Sequence, residues 1–156
     1  LARALKDAGS QVTSIIGYRS KEHIFWEDKM KAVSSRLLIA TNDGSYGRKG
    51  FVTDILKELM ESGEKIECVF AIGPAVMMKA VCDMTRPANL KTVVSLNSLM
   101  VCGMGMCGAC RVTVADQTRF TCMDGPDFDG HAVNFPELMK RLETYKGEEC
   151  SCQSGK

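Results

Sequence analysis

Apolar residues recur along this chain with two periods. Residues 11–17 (QVTSIIG), 36–41 (RLLIAT), 67–72 (ECVFAI) and 91–96 (KTVVSL) are short, β-branched apolar runs that predict buried strands. Between them the period lengthens to that of a helix. Trp26, Met30 and Val33 repeat at i, i+4, i+7 within residues 21–33, with Ser20 as the predicted N-cap. Phe51, Val52, Ile55, Leu56 and Leu59 mark a second helix closed by Gly63. Gly73-Pro74 opens a third, with Val76, Met77, Ala80, Val81 and Met84 as its buried stripe and Arg86-Pro87 as its end. The opening LARALKDAG is the end of a helix, with Gly9 at the C′ position, so the chain is expected to begin inside an element and to be part of a longer protein. Near the other end, Asn134 and Glu137 form a capping-box-like start for a helix with Leu138, Leu142 and Tyr145 on one face. Strands alternating with helices predict an α/β fold, a mostly parallel sheet with helices on both faces.

The segment after the fourth strand follows a different logic. Cys102, Cys107, Cys110 and Cys122 form a CxxxxCxxC loop and one distant cysteine, the ligand spacing of a plant-type [2Fe-2S] centre. Four thiolates must converge on a small anionic cluster whose sulfurs need hydrogen-bond donors, and Gly103, Gly105 and Gly108 leave room for backbone N–H groups to point inward. RVTV and TRFT alternate polar and apolar residues around Ala115-Asp116-Gln117, so a two-stranded ribbon returns Cys122 to the others. A structural zinc site, a pair of disulfides and unliganded thiols are the alternatives. Zinc sites usually pair two CxxC-like hooks, whereas this set is one compact loop plus a remote ligand.

Composition narrows the function classes. The 156 residues suffice for one sizeable domain, or one domain and a small module, burying roughly 70% of the unfolded surface. Twenty Lys and Arg balance 19 Asp and Glu without a basic run, which argues against a nucleic-acid partner. No apolar run approaches the roughly 20 residues that span a bilayer, and the N-terminus lacks a signal-peptide layout, so no membrane partner and a cytoplasmic location are expected. That compartment keeps thiols reduced. Of the other cysteines, Cys68 and Cys82 fall on a predicted strand and helix as core residues, and Cys150 and Cys152 fall in the tail GEECSCQSGK, expected to be disordered. His23 is expected at the surface. His131 is a candidate donor beside the thiol loop, and most of the ten methionines fall at helical core spacing.

Ligands of open parallel sheets bind outside the carboxyl ends of the strands. That rule selects Tyr18-Arg19-Ser20, the loop from Thr41 to Gly50, and Gly73-Pro74 at a helix N-terminus. The candidate nucleotide-binding residues are Arg19, Thr41, Asp43, Gly44, Gly47, Gly50, Gly73 and Pro74. Each stretch taken alone is an ordinary βα turn.

Residues 41–54 (TNDGSYGRKGFVTD), 71–81 (AIGPAVMMKAV), 106–114 (MCGACRVTV) and 122–131 (CMDGPDFDGH) occur in that order, and with them the chain resembles part of the ferredoxin reductase-like electron-transfer subunits. The resemblance is to the flavin and iron-sulfur subunit of NADH-dependent ferredoxin:NADP oxidoreductase, also called the sulfide dehydrogenase small subunit, and more loosely to the electron-transfer subunit of dihydroorotate dehydrogenase. It implies an NAD(P)-binding domain at residues 1–97 whose first strand is missing, a [2Fe-2S] module at 98–146 and a tail at 147–156. FAD is then assigned to a barrel preceding this chain in the full-length protein. Nicotinamide contacts are implied at Gly73-Pro74 and from Asp43 to Gly50, with NAD(H) and NADP(H) both open, and Cys102 stands where transhydrogenase-type relatives often carry aspartate. Ile72 stands where many relatives carry a cysteine near the hydride path, so no catalytic thiol is implied. The implied function is relay of electrons between nicotinamide nucleotide, FAD and the cluster to a catalytic partner subunit, with ferredoxin as a further partner. A non-catalytic zinc or iron-sulfur adaptor and a nucleotide-binding regulatory module are the competing classes.

Overall fold

The computed structural model describes residues 1–144, so Tyr145, Cys150 and Cys152 lie outside the described residues, as does the expected tail at 147–156. The chain divides into two compact units, Leu1–Lys65 and Ile66–Lys156.

The first unit contains α1 (Ala2–Asp7), β1 (Thr13–Tyr18), α2 (Glu27–Val33), β2 (Arg36–Thr41), β3 (Arg48–Lys49) and α3 (Val52–Glu61). β1, β2 and β3 form a parallel sheet in that order, with Ile15 opposite Leu38 and Tyr18 opposite Thr41. Successive strand residues point to opposite faces, and β1 uses both. Ser14 Oγ lies 2.6 Å from Ser34 Oγ at the end of α2. Gly17, on the other face, admits α3 so closely that a Cβ there would stand 2.6 Å from Val52 Cγ1. Helices therefore cover both faces of this strand. Ile55, Leu56 and Leu59 are the buried stripe of α3, whereas Phe51 is its exposed N-cap.

The helix expected over residues 21–33 is broken. Lys21–His23 is a short 3₁₀ turn, and α2 starts only at Glu27. Tyr18 Oη donates to the Phe25 carbonyl at 2.9 Å and its ring meets Phe25 edge-on, which holds this carbonyl outside any helical ladder. Trp26 then turns the chain with φ of 60°, and its side chain is exposed rather than packed inward.

The second unit contains β4 (Val69–Ile72), α4 (Ala75–Thr85), β5 (Thr92–Ser95), β6 (Arg111–Val114), β7 (Gln117–Phe120), β8 (Asp127–Asp129) and α5 (Phe135–Leu142). β4 and β5 are parallel. β8, which the apolar periods did not predict, adds to β5 as an antiparallel edge with Val94 opposite Phe128. β6 and β7 form a hairpin in which Ala115 and Asp116 both take positive φ, 49° and 59°, matching the twist of a two-residue turn. α5 is capped as expected, with Glu137 N–H donating to Asn134 Oδ1 at 3.1 Å.

α4 presents a different face from the one expected: Met78, Val81, Cys82 and Thr85 are buried, while Val76 is exposed. A hydroxyl network fixes that choice. Thr85 Oγ1 accepts from Thr92 Oγ1 at 2.7 Å and lies 3.0 Å from His131 Nε2, and Arg86 donates to the His131 carbonyl. Thr85 thus ties α4 to β5 through Thr92 and to the segment after β8 through His131.

Gly47 and Gly63 share a left-handed φ of 63° and 78°, but only Gly47 is crowded, since a Cβ there would lie 2.4 Å from the Ile39 carbonyl oxygen. Gly63→Ala should cost about 1–2 kcal/mol for the backbone conformation alone. Gly47→Ala should cost at least ~1 kcal/mol more, because β2 has to move. Denaturant melts of the two variants give the comparison.

Candidate functional site

The thiols at Cys102, Cys107, Cys110 and Cys122 lie in one unit and fall into two pairs. In the first, the Cys102 sulfur accepts from the backbone N–H groups of Met104, at 3.5 Å, and Cys107, at 3.4 Å. The Cys107 sulfur accepts from Ala109 N–H at 3.4 Å. Gly103, Gly105 and Gly108 all have left-handed φ, which turns successive N–H groups toward the sulfurs as in an anion-binding nest. Those donors pull the Cys102 thiol down to about 6, the Met104 N–H contributing most and the Cys107 N–H next.

In the second pair, Cys110 and Cys122 share a hydrogen bond with sulfurs 3.2 Å apart. The Cys122 N–H facing the Cys110 sulfur lowers the Cys110 thiol, and the hydrogen bond with Cys110 raises Cys122, as expected for two sulfurs holding one proton between them. Cys110 is buried and Cys107 is exposed, so the set runs from the interior of the unit to its surface.

Two residues that the sequence did not single out hold this pair. Ser98 and Thr121 are buried, their hydroxyl oxygens are 2.5 Å apart, and both lie within reach of the Cys110 carbonyl. Two arginines brace the loop from outside: Arg141 of α5 donates to the Ala109 carbonyl at 3.0 Å, and Arg111 to that of Gly108 at 3.2 Å.

The other described cysteines are free and separate. Burial pushes the thiol of Cys82, a core residue of α4, up to about 11 and raises that of Cys68, which lies half-buried just before β4 rather than in the core as expected. Among the described residues, no three His, Cys, Asp or Glu side chains converge on a single-ion site. The four thiols in two pairs, with backbone N–H groups on their sulfurs, are a donor set that fits a binuclear cluster.

The strand-end residues are distributed over both units. In the first, a cleft of about 460 Å³ is lined by Ser20, Lys21, Glu22, Asp43 and Ser45, at the carboxyl ends of β1 and β2. Asp43 accepts from the Ser45 N–H and hydroxyl at 3.0 and 2.7 Å, the N–H chiefly holding its carboxyl below the usual range. Arg19 is exposed beside it, its carbonyl accepting from Asp43 N–H. Thr41 is fully buried, and its hydroxyl donates to the Tyr46 carbonyl at 2.6 Å. Gly44 packs against Lys49, and a Cβ at Gly50 would reach 2.7 Å from Asp54 Oδ2, which accepts the Phe51 N–H. Arg48 pairs bidentately with Glu58. In the second unit, Gly73 and the exposed Pro74 lead from β4 into α4, with Pro74 as the N-cap.

A glycine-rich loop that brings four free thiols together, in a chain of two α/β units, is an arrangement suited to an iron-sulfur centre. Residues 97–134 match the family described as the iron-sulfur cluster binding domain of dihydroorotate dehydrogenase B. The chain is 45% identical over 149 residues to a dihydroorotate dehydrogenase B (NAD(+)) electron transfer subunit homolog of Thermotoga maritima, covering 96% of this chain and 52% of that protein. It is also 45% identical over 150 residues to a Clostridium beijerinckii protein known as "uncharacterized protein in adh 3′region", covering 96% of this chain and 51% of the relative. A solved structure of NADH-dependent reduced ferredoxin-NADP oxidoreductase, described in connection with flavin-based electron bifurcation, superposes with a TM-score of 0.86 at 44% identity, over 95% of this chain and 53% of its own. The chain spans about half the length of the curated relatives it matches. It is similar over that length to proteins named as electron-transfer subunits, and its residues 97–134 match an iron-sulfur cluster-binding domain. Among the described residues no helix is long and apolar enough to cross a membrane.

In cluster-free protein under reducing conditions, iodoacetamide at neutral pH should label Cys102 early, because it is mostly thiolate, and its labelling rate should fall as pH drops through about 6. Cys82, buried and protonated, should stay unlabelled until the protein unfolds. Peptide mapping by mass spectrometry over time distinguishes the two.

Proposed function

We propose that this chain relays electrons between a nicotinamide nucleotide and a catalytic partner subunit through a [2Fe-2S] cluster, with FAD bound by a part of the full-length protein outside this chain. The observation that carries the reading is the pairing of the thiols. A [2Fe-2S] cluster takes two protein ligands at each iron, and Cys102 with Cys107, and Cys110 with Cys122, are the proposed pairs. When bound, the cluster accepts and passes single electrons. The chain's own residues orient the thiolates, offer the Met104, Cys107 and Ala109 N–H groups to the sulfurs, and bury the Cys110 side.

The nicotinamide nucleotide, NAD(H) or NADP(H), is assigned to the strand-end loops. Arg19, Asp43 and the backbone of Gly44, Gly47 and Gly50 stand by the ends of β1 and β2, where a ribose or phosphate is received in such folds. Thr41 supports that loop from beneath; in the second unit, Gly73-Pro74 at the N-terminus of α4 is a separate candidate for a nucleotide contact. The division into a nucleotide-binding part to residue 97 and a cluster module at 98–146 belongs to the same proposal, as do a cytoplasmic location and ferredoxin as a partner. The Thermotoga maritima relative is named for NAD(+) and the superposed structure for NADH and ferredoxin, which supports both partners here.

Anaerobically prepared intact protein should contain about two irons and about two inorganic sulfides per chain, and NADH or NADPH should bleach its visible absorbance. Zinc without sulfide would overturn the cluster, and an intact cluster that neither nucleotide reduces would overturn the relay. Cys102→Asp should keep a cluster of altered potential, since a carboxylate is a harder and poorer donor to iron than a thiolate. Cys102→Ala should lower cluster content further, by roughly tenfold or more.

A further inference from the structure

The entry to the thiol loop, its third cysteine and its exit meet at one backbone atom. The Cys110 carbonyl oxygen accepts from Thr121 N–H at 3.1 Å, and Thr121 Oγ1 and Ser98 Oγ lie 3.2 and 3.4 Å from it. The two hydroxyls are 2.5 Å apart. They carry two protons between them: one joins the hydroxyls and the other goes to the carbonyl, with either oxygen able to be the donor. Ser98 is 7% exposed, Thr121 2% and Cys110 2%, so water does not compete for these bonds. Ser98 precedes the loop, and Thr121 is the residue before Cys122. The clasp therefore fixes the backbone on both sides of the Cys110–Cys122 pair and leaves the Cys102–Cys107 pair to the glycine-rich turn.

We propose that Ser98 and Thr121 are positioning residues for the cluster, acting through the Cys110 carbonyl to set the geometry of the Cys110–Cys122 thiolates and thereby the cluster's reduction potential. This rests on the reading of the four cysteines as cluster ligands. A buried carbonyl that loses a hydroxyl donor reorients or draws in water, and either change moves a dipole next to the ligand sulfur. Hydrogen bonding and burial around the sulfurs are among the factors that tune such potentials.

The test uses the intact protein with Ser98→Ala, Thr121→Val and Thr121→Ser. Ser98→Ala and Thr121→Val should each shift the midpoint in a spectroelectrochemical titration, alter the electron paramagnetic resonance spectrum of the reduced cluster, and speed iron loss to a chelator by on the order of tenfold. Thr121→Ser, which keeps the hydroxyl, should return all three toward wild type. Should Thr121→Val fail to hold a cluster, Ser98→Ala, which removes a single oxygen, gives the same readouts. Wild-type midpoint and spectrum in Ser98→Ala and Thr121→Val overturn this inference alone. Wild-type protein without iron and inorganic sulfide overturns the cluster reading, and this inference with it.

Discussion

Gathering four cysteine sulfurs, the proposed cluster ligands, into one short stretch is the constraint that shapes the second unit. Like charges at this spacing repel, and water cannot solvate all of them once Cys110 is buried. The chain answers with backbone donors, and donors from successive residues require positive φ at Gly103, Gly105 and Gly108. A segment so rich in glycine has little tendency to hold its own shape. Its order comes from outside: the Ser98–Thr121 clasp beneath Cys110, Arg141 reaching from α5 to the Ala109 carbonyl, and the β6–β7 hairpin that carries Cys122 back.

What was legible in the sequence followed from how local the cause was. β2 and the hairpin lie where their apolar periods put them, because each strand announces itself over a few residues. The break at Phe25 was not legible, since it depends on a hydrogen bond from Tyr18, a tertiary event that helical propensity does not sense. The face of α4 was ambiguous for another reason. AVMMKAVCDM is apolar on nearly every side, so its period selects no direction, and the Thr85 hydroxyl network decides. The thiol loop was plain because cysteine spacing is a chemical requirement. Ser98 and Thr121 left no signal, since their shared partner is a main-chain carbonyl that any residue supplies.

The glycines of the 42–50 loop carry a related lesson. Glycine in a strand-end loop is expected where a ligand approaches the backbone, yet Gly47 and Gly50 are both accounted for by the loop's own packing against Ile39 and Asp54. The weight of the nucleotide assignment in this unit therefore falls on Arg19 and on Asp43, whose ionised carboxylate is fixed by Ser45 at the cleft.

The antiparallel pairing of β8 with β5 has a consequence for how this unit comes into being. Leu96 N–H donates to the Pro126 carbonyl at 2.9 Å, so the residues between them leave the sheet and return to it at neighbouring positions. The closure entropy of that excursion is met by sheet hydrogen bonds, and it grows only slowly with the number of residues enclosed. The thiol segment can thus loosen or reorganise as a local unit while both of its ends stay anchored. The excursion can vary in length without rewriting the strands that hold it.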